Sequence, residues 1–176
     1  MKFKVFRFKK VESTNNTAIR IIKNSNTEYG MIIADQQNNG RGQYAKKWIS
    51  YKGNLFISFF YKLDNLSISL KKITRINCLL VKKLLSIYYK NKIMFKKPND
   101  LLINKKKICG ILQEKINKID KTYLIVGIGI NLIKNPNFKN YPTTNLVELL
   151  KKKVSKNKIQ KQIKKIFETQ LTKLYE

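Results

Sequence analysis

The chain has 176 residues, 43% of them hydrophobic, which suits one domain with a real core and is too apolar for wholesale disorder. Lys and Arg number 38 against 10 Asp and Glu, a net charge of +28, and the absence of histidine removes Ser-His-Asp and Cys-His catalysis. The two cysteines, Cys78 and Cys109, lack Cys-x-x-Cys spacing, so no metal ligands are assigned and Lys, Arg, Asp and Glu remain as charged actors.

No apolar run approaches about 18 residues, and the N-terminus lacks the apolar core and cleavage site of a signal peptide. Cytoplasm is therefore the expected location, with no membrane partner. Two readings fit the charge. One is a polyanion-binding surface. The other is compositional drift, since Lys, Asn and Ile are abundant together and the charge is spread along the chain. A basic face would also speed encounter with acidic proteins.

Residues 1–8 alternate as a strand does. Next, Ser13 or Thr14 can cap a helix carrying Ala18, Ile19, Ile21 and Ile22. Such a helix end can hold a carbonyl or carboxylate, although capping alone also accounts for these residues. Asn24–Asn26 turns the chain into a strand at 31–34, and another strand is expected at 54–62. The connection between them is roughly three times the two to five residues that a hairpin needs. It contains Gly40-Arg41-Gly42, where backbone N–H groups and a guanidinium can meet an anion, and ends on Trp48, a flat face for a base. A flexible, solvated basic loop is the alternative reading.

A turn at 64–67 leads to an amphipathic helix over 69–90. Residues 93–103 read as a strand interrupted at Pro98-Asn99-Asp100, at an edge or a bulge. Strands at 107–114 and 122–132 follow, with Gly110, Gly127 and Gly129 marking a surface bare of side chains, where a ligand or another backbone passes close. Two basic helices, 145–153 and 157–175, close the chain, the first with a threonine N-cap after Pro142. The order gives an α+β fold, a mixed and mostly antiparallel sheet packed on helices.

Together these residues read as a site for making an acyl-adenylate. That chemistry needs cations to bring a carboxylate and a triphosphate together, a platform for adenine, and acceptors for magnesium. Arg41, Lys96, Trp48 and the Asp and Asn residues can supply them.

At this point the sequence closely resembles the catalytic domain of biotin–protein ligases. The matching stretches, in the family's order, are Glu12-Ser13-Thr14-Asn15, then Ala34-Asp35-Gln36-Gln37 leading to Gly40-Arg41-Gly42 and Trp48. Lys96-x-Pro98-Asn99-Asp100-Leu101, Lys107-Ile108-x-Gly110-Ile111-Leu112-x-Glu114 and Val126-Gly127-Ile128-Gly129-Ile130-Asn131 complete them. They lie between residues 10 and 135 of a single catalytic domain spanning 1–176, with closing helices at 145–175.

The resemblance implies a class II aminoacyl-tRNA synthetase-like fold and a two-step reaction. Biotin is activated by ATP and Mg2+ as biotinyl-5′-AMP, then passed to a lysine of a biotin carboxyl carrier protein; no prosthetic group is involved. It implies biotin contacts from Ser13, Thr14, Asn15, Gln37, Gly40, Arg41, Gly42, Lys96 and Gly110. It implies ATP contacts from Arg41, Gly42, Gln43, Trp48, Lys96, Asn99 and Asn131. Lys96 and Arg41 would stabilise charge at the carboxylate and α-phosphate, and Asp100 would activate the acceptor lysine or organise magnesium. Gln43, Ala45 and Lys46 depart from the arginine- and glycine-rich loop of the family, and Gln43 leads to the expectation of a leakier adenylate. Lys97 replaces a common aromatic.

The ends lead to the expectation of a plain ligase with neither the DNA-binding domain of repressor-type members, hence no specific DNA binding, nor the C-terminal SH3-like barrel. Monomer and homodimer stay open. The alternatives are a lipoate or octanoate ligase or transferase of the same superfamily and, more remotely, a non-enzymatic basic nucleic-acid binder.

Overall fold

The computed structural model describes residues 1–44, 46–64 and 68–176. The Ala45 exchange and the expected turn at 65–67 lie outside the described residues. The elements run β1 (Lys4–Val11), α1 (Thr14–Asn24), β2 (Tyr29–Gln37), β3 (Leu55–Lys62), α2 (Leu70–Tyr88), β4 (Ile93–Lys96) and β5 (Asp100–Ile103). They continue with β6 (Lys106–Lys118), β7 (Lys121–Ile130), α3 (Leu146–Leu150) and α4 (Lys156–Tyr175). The strands form one seven-stranded sheet in the order β1-β2-β3-β7-β6-β5-β4. Among the described strands the β1–β2 pair is parallel, because α1 crosses over between them, and the other pairs are antiparallel.

The two-residue period of the strands divides the core. On one face Ile57, Phe59, Tyr61, Leu124, Val126 and Ile128 are buried beneath α2 and α4. Phe167 of α4 stacks on Phe59 with ring centroids 4.2 Å apart. Tyr61 donates to Asn77 of α2 at 2.9 Å, and Asn77 donates to Gln113 of β6 at 2.8 Å, so the buried polar groups there are paired. On the other face Ala18 and Ile22 of α1 pack on Ile32, Phe60, Tyr123 and Ile125. That helix has 11 residues and covers only part of its face. Beyond its N-terminus β7 continues with Gly127 and Gly129, on the same side as Tyr123 and Ile125. This uncovered end of the sheet is where the site lies.

Three local expectations are corrected. Residues 93–103 form a hairpin, with Ile93 opposite Ile103 and Lys96 opposite Asp100. The chain reverses at 97–99, where Pro98 has no N–H to continue a ladder; Ile93 and the Leu101–Ile103 stretch are buried, while Met94, Phe95 and Lys96 of the edge strand stay exposed. The helix expected over 145–153 stops at Leu150, since Lys151 is left-handed at φ 54°. Its cap is Asn145, whose side chain accepts from the Glu148 N–H at 2.8 Å, one residue later than the threonine expected.

Candidate active site

Ser13 caps α1 and accepts from the Asn16 N–H at 3.5 Å, as the Ser-Thr-Asn pattern suggests. Ser13, Thr14 and Asn15 are all buried. Gln37, at the end of β2, accepts from both the backbone N–H (2.8 Å) and the hydroxyl (3.1 Å) of Thr14, and donates to Ser50 at 3.0 Å. Asn15 lies directly on the glycine surface: a Cβ at Gly127 would stand 2.3 Å from its Oδ1. Its Oδ1 accepts from Ser58 at 2.5 Å, while its Nδ2 donates to Glu114 at 2.6 Å and to the Leu112 carbonyl at 3.4 Å. The amide of Asn15 is therefore engaged by the sheet.

The long connection after β2 is a small hairpin laid over the sheet. The Gly42 N–H donates to the Lys46 carbonyl at 2.7 Å, and the Trp48 N–H to the Gly40 carbonyl at 2.8 Å, with Arg41 bridged to Lys47. Trp48 then turns inward. Added Cβ atoms at Gly129 and Gly110 would stand 2.4 and 2.6 Å from its indole ring. The chain's own Asn15 and Trp48 thus stand against the surface signalled by the glycines, and Gly110, Gly127 and Gly129 also line the cavity of the site. Among the described residues, Trp48 Nε1 and Arg41 Nε are buried with no hydrogen-bond partner. The guanidinium of Arg41 donates through Nη2 to Glu114 Oε2 at 2.7 Å.

Across the site, the β4–β5 hairpin carries Lys96, Asn99 and Asp100. Asp100 is held from two sides: Lys107 Nζ stands 2.8 Å from Oδ1, and the Tyr141 hydroxyl donates to Oδ2. Burial, followed by that bond to the carboxylate, pushes the Tyr141 phenol well above its usual value. Lys96 Nζ lies 4.7 Å from the centre of the Tyr141 ring, and Lys107 Nζ lies 5.3 Å from the same ring and 5.4 Å from that of Trp48.

These elements enclose a cavity of about 650 Å³. Ser13, Thr14, Asn15, Gln37, Arg41, Gly42, Gln43, Trp48, Lys96, Asn99, Asp100 and Gly110 all line it. Gly40 and Asn131 do not. Gly40 lies under the hairpin, where a Cβ would meet the Trp48 carbonyl at 2.7 Å. Asn131 donates to the Thr144 carbonyl at 3.1 Å and borders a smaller adjoining pocket, so it braces the junction with α3. Among the described residues the main lining holds seven cationic side chains (Arg41, Lys46, Lys47, Lys96, Lys97, Lys107 and Lys139) and a single carboxylate, Asp100. The α1 end, with Ser13, Thr14 and Gln37, is uncharged and rich in hydrogen-bonding groups.

Four residues of this arrangement escaped sequence reasoning as site residues. Lys107 and Glu114 lie within a motif that was read, but a lysine in so basic a chain carries little signal by itself. Ser58 is one position in an apolar strand, and Tyr141 sits in an irregular segment without periodicity.

The model of the biotin/lipoate A/B protein ligase family matches residues 7–131. This chain belongs to that family. The matched stretch carries α1, the hairpin, Lys96 and the glycine strands, and Tyr141 lies beyond it. The bifunctional ligase/repressor BirA of Bacillus subtilis is 33% identical over 129 residues, 72% of this chain and 40% of its own length. The chain thus spans about two-fifths of that curated relative. A structure of the Aquifex aeolicus biotin protein ligase in complex with biotin and ATP is 31% identical, with a TM-score of 0.80 over 97% of this chain and 71% of that one. A lipoate complex of LipL1 from P. falciparum is more distant, sharing the fold at a TM-score of 0.57 and 14% identity over 97% of this chain and 62% of that one. Among the described residues no helix is long and apolar enough to cross a membrane.

Proposed function

We propose that residues 1–176 form one catalytic domain of a cytoplasmic biotin–protein ligase, which makes biotinyl-5′-AMP from biotin and ATP and transfers biotin to a lysine of a biotin carboxyl carrier protein. The observation that carries this is the polarity of the cavity. Its neutral end at Ser13, Thr14 and Gln37 offers donors and acceptors suited to a ureido ring. The rest is lined by cations, as a carboxylate and a triphosphate require. Two unit negative charges about 4 Å apart repel by about 1 kcal/mol in water and by several times that near a protein surface. Paired cations must offset this before a carboxylate can approach the α-phosphorus.

In the first step a biotin carboxylate oxygen attacks the α-phosphorus and the bond to the pyrophosphate oxygen breaks. Lys96, Arg41 and Lys107 stabilise the charge that accumulates on the phosphoryl oxygens. In the second step the acceptor lysine amine attacks the carbonyl of the mixed anhydride, the C–O bond to AMP breaks, and the amine's proton passes to Asp100 or to solvent. Magnesium is commonly held by one or two carboxylates plus phosphate oxygens, and Asp100 beside Asn99 fits that donor set. For Asp100 to serve, Lys107 must exchange its carboxylate partner for phosphate. Trp48 packs on Gly110 and Gly129 and lines the cavity, where its indole is the flat surface assigned to adenine.

The test is biotin-dependent ATP–pyrophosphate exchange on the purified chain, with lipoate and octanoate in parallel. Exchange with biotin alone is expected. Exchange with an acyl chain in place of biotin, or none with any of the three on folded protein, overturns the proposal.

A further inference from the structure

Arg41 is held by a carboxylate that no step above uses. Glu114 projects from β6 and accepts through one oxygen, Oε2, from Arg41 Nη2 at 2.7 Å and from Asn15 Nδ2 at 2.6 Å. It therefore joins three parts of the site: the hairpin after β2, the first turn of α1, and the sheet. The side chains of Arg41 and Glu114 are 34% and 25% exposed, so their pair is partly shielded from solvent and salt. A carboxylate so near a cavity lined by seven cations weakens its pull on anions. It is a poor choice for binding strength and a good one for fixing direction. A guanidinium is planar, so tethering Nη2 to a carboxylate that Asn15 also holds restricts the orientations in which Arg41 can meet an oxyanion. Among the described residues its buried Nε has no hydrogen-bond partner, which leaves that donor for an oxyanion.

We propose that Glu114 is a positioning residue: it sets the Arg41 guanidinium, and through Asn15 the capped end of α1, in the geometry that receives the phosphate and carboxylate oxygens. This rests on the ligase reading above. It assigns Glu114 no contact with substrate, so Glu114 acts through Arg41.

The test is a double-mutant cycle with Glu114→Gln, Arg41→Gln and the double variant. Thermal unfolding checks each fold, and kcat and KM for ATP are measured by biotin-dependent exchange. In parallel, fluorescence of Trp48, the sole tryptophan, is titrated with ATP. Glu114→Gln keeps the shape and removes the charge. Misplacing a clamp by about 1 Å costs up to about a hundredfold in rate, so a loss of about tenfold or more in kcat/KM is expected with unfolding little changed. In the Arg41→Gln background, removing Glu114 is expected to change kcat/KM by less than about twofold, the mark of two residues acting as a unit.

Activity of Glu114→Gln equal to wild type, or losses that multiply in the double variant, overturns the proposal. If exchange is absent throughout yet ATP titrates and the binding losses fail to multiply, the ligase reading fails and the role of Glu114 stands. If ATP does not perturb the wild-type tryptophan and exchange is absent, both fail.

Discussion

Replacing Gly127 with alanine tests the claim that the bare sheet surface serves the chain's own side chains. The new Cβ would stand 2.3 Å from Asn15 Oδ1 and 2.9 Å from its Cγ, so Asn15 must move. It cannot move freely, being tied to Ser58, Glu114 and the Leu112 carbonyl. Overpacking of this kind costs about 1–3 kcal/mol. Displacing Asn15 also strands the fully buried Ser58 hydroxyl, at about 1–3 kcal/mol. Against this, alanine is favoured over glycine in a strand by about 0.5–1 kcal/mol. The net loss is about 3 kcal/mol, or roughly 6–12 °C in Tm for a chain of this size.

Gly129→Ala provides the control. Its overlap is as severe, 2.4 Å to the indole of Trp48, but that ring belongs to the hairpin and, among the described residues, its Nε1 has no hydrogen bond to lose. The indole can swing aside, so the stability cost is expected to stay below about 1 kcal/mol while the emission of the sole tryptophan changes. Far-UV circular dichroism in urea and heat gives the first quantity and fluorescence the second. A Gly127→Ala protein within about 0.5 kcal/mol of wild type, or one more stable than Gly129→Ala, refutes the reasoning.

Lys96→Ala should abolish biotin-dependent pyrophosphate exchange with Tm unchanged within error, because Lys96 is exposed and its ammonium rests 4.7 Å from the Tyr141 ring centre; normal exchange in this variant would remove Lys96 from the chemistry. Alkali should unfold the protein through its buried phenols. Tyr61 is wholly buried and its ionisation is pushed far above the usual value, chiefly by burial. A raised native value means that its contribution is fully present below about pH 10 and is lost as pH rises beyond, by about 1.4 kcal/mol per pH unit. Tyrosinate absorbance should therefore show a late step that coincides with loss of circular dichroism; a Tyr61 that titrates in the folded protein would contradict this. The two thiols should be inert while the chain is folded. Cys78 is pushed up to about 11 by burial, and the fully buried Cys109 is raised for the same reason. Both should react with a disulfide reagent near pH 8 only after denaturant is added, and prompt labelling without denaturant would be inconsistent with the packing described.

Much of the architecture was legible because it is local. The Ser13 cap, the helical stripe of α2 and the alternation in β3 and β7 each follow from the spacing of a few neighbouring residues. The hairpin at 93–103 was misread because an apolar run on both sides of Pro98 looks the same whether the chain continues or doubles back; only the pairing of Ile93 with Ile103 distinguishes the two. The helix after Pro142 was placed within a residue at its start and overrun at its end, since a left-handed Lys151 has no composition signal.

The sequence by itself determined the order of the elements, the family, and the positions where side chains had to be missing: Gly110, Gly127 and Gly129 are visible in a string of letters. What the glycines make room for was decided by tertiary structure. Asn15 lies over Gly127, and Trp48 over Gly110 and Gly129, because α1 and the hairpin after β2 dock on the same face of the sheet. The pairs that give the site its charge pattern are equally remote along the chain: Arg41 with Glu114 is 73 residues apart, and Tyr141 with Asp100 is 41. No periodicity links such residues. They meet because cross-strand register places β6 beside β7 and carries Glu114 beneath the loop, so their pairing is a property of packing that local propensity does not encode.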